Sequence, residues 1–103
     1  MNFGIEFDSL TDTPELYALE LTHSDNGEVH TITNEPGKQA SIKIYYAISR
    51  NDHFQITPVQ AKIGLELYGD YVQQEQQQPN SHPNIRLLLN IIAQNQTWTV
   101  KTI

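Results

Sequence analysis

Two short runs near the amino terminus carry β-forming residues. Glu15–Thr22 and Glu28–Thr33 are rich in Leu, Tyr, Val, Ile and Thr, and Asn26-Gly27 lies between them. Asn-Gly accepts the positive φ angles of a type I′ turn, whose twist matches that of the flanking strands. The pattern therefore predicts a β-hairpin.

The hairpin also predicts a register for two histidines. With two turn residues, His23 lies opposite His30 and Leu21 lies opposite Ile32. Two imidazoles on one sheet face would need a third ligand to hold a metal, and their spacing matches no established ligand pattern. We therefore predict no metal site and no cofactor.

Apolar residues return at helical spacing after the hairpin. The first helix is predicted over about Lys38–Arg50, because Ser41, Ile44, Tyr45 and Ile48 follow the i, i+3, i+4, i+7 pattern of one helix face.

A second helix begins with a clear capping signal. Thr57 suits the N-cap, Pro58 suits the first helical position, and Gln60 can reach back as in a capping box. The predicted apolar stripe is Ala61, Leu65, Tyr68 and Val72. The helix is expected to fray through Gln73–Gln78 as a solvated end and to stop before Pro79.

A third helix and a final strand complete the pattern. Ser81 or His82 is expected to cap the helix, with Pro83 in the first turn and Asn95 as a left-handed stop. Residues 97–103 are β-prone throughout and predict a terminal strand. The expected helix stripe contains Ile85, Leu88, Leu89 and Ile92, widened by Leu87 and Ile91.

These elements predict one α+β domain over residues 1–103. We expect a small antiparallel or mixed sheet of about three strands, formed by the hairpin and the final strand, with three helices packed on one face. The first ten residues fit either a strand or a helix, and we predict a short helical turn there.

The composition excludes several classes of protein. The 103 residues include 12 Asp and Glu against 6 Lys and Arg, for a net charge of −6, and no cysteine. Broad binding to nucleic acid needs clustered basic side chains, so we predict no nucleic-acid partner. There is no run of about 18 apolar residues and no recognisable secretory signal, so we predict a cytoplasmic protein with no membrane partner.

Candidate chemistry concentrates at two helix starts. Gly37, Lys38 and Ser41 stand where a strand leads into the first helix, and backbone N–H groups together with the helix dipole favour an anion at such a place. Lys38 is followed by Gln39, so this segment is not a phosphate-binding Walker loop. At the later helix start, His82 and Asn84 are either capping residues or additional ligand-binding groups.

The segments NEPGKQASIKIYYAI (34–48) and SHPNIRLLLNII (81–92) together resemble a small proteobacterial family catalogued as domain of unknown function twenty-three twenty-two. Two departures stand out: Ala40 replaces an expected glycine, and Arg86 replaces a commonly acidic residue. The resemblance implies a bacterial cytoplasmic protein without an assigned activity. It directs attention to Pro36, Gly37, Lys38, Ser41, His82, Pro83 and Asn84.

Two hypotheses of function follow from the sequence. No catalytic motif is recognisable, so the main hypothesis is a non-enzymatic binding or protein-interaction module whose acidic surface favours a basic protein partner. The alternative is a binder, or an enzyme, of a small anionic or phosphorylated ligand at residues 36–41. The sequence leaves the oligomeric state open.

Overall fold

The computed structural model describes residues 15–50 and 52–103, which form four strands and four helices. In chain order these are β1 Ala18–His23, β2 Val29–Thr33, α1 Gln39–Arg50, β3 Gln55–Ile56, α2 Pro58–Tyr68, α3 Tyr71–Gln77, α4 Pro83–Gln94 and β4 Trp98–Thr102. The strands form one antiparallel sheet in the order β2-β1-β4-β3. The predicted α+β class is confirmed, whereas the predicted helical turn in the first ten residues lies outside the described residues.

The hairpin is present, but its predicted register is wrong by two residues. Leu21 pairs with His30 and not with Ile32. The loop has four residues, because the His23 N–H donates to the Glu28 carbonyl at 2.8 Å. The Asn26 side-chain oxygen stabilises this wider loop by accepting from the Glu28 N–H at 2.8 Å. A shift of two residues preserves the alternation, so the same side chains still face the core.

One face of the sheet is buried beneath the helices. Along β1, buried Leu19, Leu21 and His23 alternate with half-exposed Glu20 and Thr22. Helices α1 and α2 contact the sheet, α4 packs mainly against α2, and α3 contacts α2 and α4. In the described part of the chain, no helix is long and apolar enough to cross a membrane.

The stripe predicted for the first helix forms the centre of the core. Ser41, Ile44, Tyr45 and Ile48 are all buried in α1. Tyr45 is fully buried despite its hydroxyl group, which therefore needs an internal acceptor. That acceptor is the backbone carbonyl of Asn84, which links α1 to the start of α4.

The second predicted helix is two helices, which is why the structure has four helices and not three. The capping signal at Thr57 is confirmed, with its N–H donating to Gln60 Oε1 at 3.1 Å. However, α2 ends at Tyr68, because Gly69 has a φ of 61° that breaks the helical backbone. The chain restarts as α3 at Tyr71, so Gln73–Gln78 is not merely a frayed helix end.

The sequence pattern also did not predict one of the four strands, β3. β3 contains only Gln55 and Ile56, which pair with Thr99 and Trp98 of β4. Two residues are too few to show the alternation that identifies a strand. Their pairing places β4 between β1 and β3.

Helices α2 and α4 approach each other closely at Gly64. A Cβ atom placed on Gly64 would lie 2.8 Å from Leu88 Cδ1 and 3.1 Å from Ile48 Cδ1. The first distance is shorter than packed carbon atoms normally allow. The absence of a side chain at Gly64 therefore sets the spacing of the helices that carry the candidate site.

Candidate functional site

The start of α1 is shaped by a tight turn. Glu35 begins the turn, Pro36 fixes its first corner, and Gly37 adopts a φ of 87° at its second corner. The Lys38 N–H donates to the Glu35 carbonyl at 2.9 Å, which closes a type II β-turn. The helix begins at once afterwards, so the N–H groups of its first turn have no acceptors within the helix.

Lys38 supplies positive charge beside this helix start. Its side chain is 52% exposed and its Nζ lies 3.5 Å from a carboxylate oxygen of Glu35. An ion pair this exposed contributes little free energy, because solvent screens both charges. Lys38 can therefore exchange Glu35 for another anion at small cost.

The start of α4 is held by a buried carboxylate that sequence reasoning missed. Glu75 lies in α3, is fully buried, and accepts the backbone N–H groups of Asn80 at 2.8 Å and His82 at 2.6 Å. The same carboxylate accepts Arg86 Nε at 2.7 Å. Arg86 thus compensates the charge of Glu75. One side chain fixes the loop and the helix start together.

The ionised form of Glu75 is favoured despite its burial. Burial acts to raise the pKa of Glu75, but the Asn80 and His82 N–H donors and the Arg86 guanidinium outweigh it and hold the pKa below its ordinary range. A carboxylate with a lowered pKa in the folded state stabilises the fold above its unfolded pKa, and this contribution is lost as the pH falls through the folded value.

We therefore expect stability to depend on Glu75 at acidic pH. As the pH falls below about 4.3, the ordinary value for glutamate, the wild-type protein should lose free energy of unfolding more steeply than the Glu75→Gln variant. Urea unfolding of both proteins at a series of pH values measures this difference. If the free energy of unfolding falls equally with pH in both proteins, Glu75 does not cause the predicted pH dependence.

The two helix starts meet at a single cavity of about 440 Å³. All five residues predicted as a candidate anion site, Gly37, Lys38, Ser41, His82 and Asn84, line it. The remaining lining residues are Ala40, Tyr68, Tyr71, Ser81, Pro83 and Ile85. The volume falls within the range of about 300–1,000 Å³ that is typical of small-molecule sites.

Ser41 lines the cavity and accepts a hydrogen bond from another residue of its wall. Tyr68, the last residue of α2, donates its hydroxyl to Ser41 Oγ at 2.6 Å. Burial raises the pKa of the Tyr68 hydroxyl well above its ordinary value, so the hydroxyl stays protonated and remains a donor. The hydroxyl hydrogen of Ser41 is thereby left to donate.

Asn84 also accepts hydrogen bonds from residues of other elements. His30 Nε2, from β2, donates to Asn84 Oδ1 at 2.7 Å, and Tyr45 donates its hydroxyl to the backbone carbonyl of Asn84. Both oxygens of Asn84 therefore accept a hydrogen bond, while the Nδ2 group keeps its two donors. His30, one of the two hairpin histidines, orients a residue of the cavity.

His82 does not cap α4 with its side chain, although its backbone occupies the N-cap position. Its Nε2 lies 3.1 Å from Gln74 Oε1, and its ring packs against Tyr71 at 5.7 Å between centroids and 65° between planes. The N-cap predicted at Ser81 or His82 is therefore confirmed at His82, but the side chain makes no capping hydrogen bond. The imidazole instead forms one wall of the cavity together with an aromatic ring.

The two hairpin histidines do not act as a pair. His23 is buried against Trp98, at 5.1 Å between ring centroids, while His30 contacts Asn84. Across the described residues, no group of three or more His, Asp and Glu side chains could hold a metal ion.

Sequence reasoning found the polar side of the cavity but missed the aromatic side. The predicted stripe assigns Tyr68 to one continuous helix that runs past Gly69, whereas the structure breaks the helix at Gly69. Turning the chain there brings both rings to the same cavity. A glycine at position 69 permits a positive φ, but the residue type alone does not show that the helix breaks there.

These features define a small α+β domain with one polar, aromatic-walled cavity between two helix starts. The family model described as "Uncharacterized protein conserved in bacteria (DUF2322)" matches residues 3–102, and the chain belongs to that family. The resemblance seen in the two sequence segments is therefore confirmed. No curated protein and no solved structure matches the chain.

Proposed function

We propose that this protein binds a small anionic ligand, carrying a phosphate or a carboxylate, in the cavity between the starts of α1 and α4. One observation carries the proposal: Ser41 and Asn84 on the cavity wall keep hydrogen-bond donors. Tyr68 donates to Ser41 Oγ and His30 donates to Asn84 Oδ1, which leaves the Ser41 hydroxyl hydrogen and the Asn84 Nδ2 group to donate. A ligand rich in acceptors suits such a wall best.

Electrostatics support the same ligand class. Helix α1 has 12 residues, and the positive end of its dipole borders the cavity. The start of α4 also borders the cavity, where the Glu75 carboxylate already accepts the His82 N–H. Lys38 adds a full positive charge at the rim. Its exposed pairing with Glu35 is weak enough for an incoming anion to displace.

Titration with inorganic phosphate tests this proposal. We expect the backbone amide resonances of Gly37–Ser41 and of Asn84 to shift as phosphate reaches millimolar concentration. Replacing Lys38 with alanine should weaken phosphate binding about threefold to tenfold, since it removes one charge-assisted contact that is partly exposed to solvent. Chemical-shift titration of both proteins measures the two dissociation constants.

A matched variant separates an effect at the cavity from an effect of the protein's net charge. Lys101→Ala removes the same charge from an exposed position on β4 and should leave phosphate binding unchanged within error. If residues 37–41 do not respond to phosphate, or if Lys38→Ala and Lys101→Ala behave alike, the cavity is not an anion site.

A basic protein partner is a second candidate. Asp25 and Glu28 are exposed at the hairpin loop, on a chain whose net charge is −6. Such a surface favours association with a basic partner that weakens as salt is added. The cytoplasmic location, the protein partner and the absence of catalysis all stay predictions.

A further inference from the structure

The cavity is larger and more apolar than an inorganic anion requires. Ala40 and Pro83 contribute aliphatic surface, and the rings of Tyr68 and Tyr71 add aromatic surface. Water that covers such a wall is displaced favourably by an apolar group of a ligand. The hydrogen-bond donors line only part of the cavity. The apolar remainder of the wall suits an organic group of the ligand.

Tyr71 is the part of that wall most open to a ligand. Tyr71 is 56% exposed and occupies the first position of α3. His82 holds the ring on one side, and Gln74 in turn contacts His82 Nε2. The ring is thus supported from within the protein while much of its surface remains available for stacking.

We propose that the ligand is a phosphate or carboxylate carried on an aromatic group, with the anion at the Ser41 and Asn84 donors and the aromatic group against Tyr71. This inference rests on the proposed function, because it specifies the organic part of the same anionic ligand. Tyr71 is the residue that determines specificity, while the donors at the two helix starts supply the contacts common to all anions.

Two phosphate monoesters test the inference, since methyl phosphate and phenyl phosphate share a charged group and differ in the organic group. Phenyl phosphate is expected to bind about tenfold more tightly than methyl phosphate, the ratio that corresponds to about 1.4 kcal/mol of stacking and apolar contact. Tyr71→Ala should abolish that ratio by weakening phenyl phosphate, and Tyr71→Phe should retain it. Tyr71 is exposed, so neither variant should prevent folding, which circular dichroism checks.

The outcomes separate the two proposals. Equal binding of the two esters overturns the aromatic ligand and leaves the anion site standing. A phenyl preference that survives Tyr71→Ala overturns the role of Tyr71. If neither ester nor inorganic phosphate shifts the amides of residues 37–41, the anion site itself fails, and the aromatic ligand fails with it.

Discussion

Replacing Glu75 with alanine is expected to lower the free energy of unfolding by about 3 kcal/mol, the lower end of the cost of breaking a buried ion pair. The carboxylate is fully buried, and its removal leaves the N–H groups of Asn80 and His82 and the guanidinium of Arg86 without their acceptor. The lower end applies because the Arg86 side chain is 30% exposed and water can solvate part of it. Urea unfolding followed by circular dichroism measures the change.

Gln76→Ala is the matched control for this variant. Gln76 is exposed in the same short helix, so its replacement should change stability by less than about 0.5 kcal/mol. A Glu75→Ala variant as stable as Gln76→Ala would mean that the carboxylate does not hold the start of α4. The loss in Glu75→Ala should also shift the amide resonances of Asn80 and His82, because both lose a charged acceptor.

Replacing Gly64 with valine is expected to destabilise the protein by about 2 kcal/mol through overpacking. The new Cβ would lie 2.8 Å from Leu88 Cδ1, and the two methyl groups of valine extend further into the contact between α2 and α4. Either α4 moves away from α2 or Leu88 adopts an unfavourable rotamer, and both responses cost free energy. Thermal or urea unfolding measures the loss.

Two further variants isolate the steric cause. Lys62→Val introduces the same side chain at an exposed position of α2 and should cost less than about 0.5 kcal/mol. Shortening the opposing residue in the double variant Gly64→Val, Leu88→Ala should make the combined loss about 1 kcal/mol smaller than the sum of the single losses. Strictly additive losses would contradict a direct clash between these two positions.

The sequence predicted the elements whose signals are local. The α1 stripe of Ser41, Ile44, Tyr45 and Ile48 is buried as expected, because four apolar or small residues at helical spacing leave few alternatives. The candidate anion residues were also identified locally, from the turn before α1 and the Pro83 start of α4. The two helix starts line one cavity because of the tertiary packing of the chain. No sequence pattern within either segment predicts that arrangement.

The errors have equally specific causes. The hairpin register depended on loop length. The side chains of His23 and Asn26 accept hydrogen bonds from the N–H groups of Asp25 and Glu28, and these bonds favour four loop residues over two. Glu75 lies among glutamines that indicate a solvated segment, but its burial is compensated by the N–H groups of Asn80 and His82 and by Arg86, eleven residues later. Such long-range compensation cannot be predicted from the residues around Glu75 alone.

The position of β1 between β2 and β4 has a consequence for the order of folding. Pairing with β2 closes a loop of four residues and is expected within microseconds. Pairing with β4 brings Leu21 beside Val100, and every described helix lies in the intervening chain. Closing so long a loop costs more entropy and slows the final step, so the rate-limiting event should be the docking of β4 onto a preformed hairpin. The same strand therefore belongs to the earliest and the latest contacts of the fold.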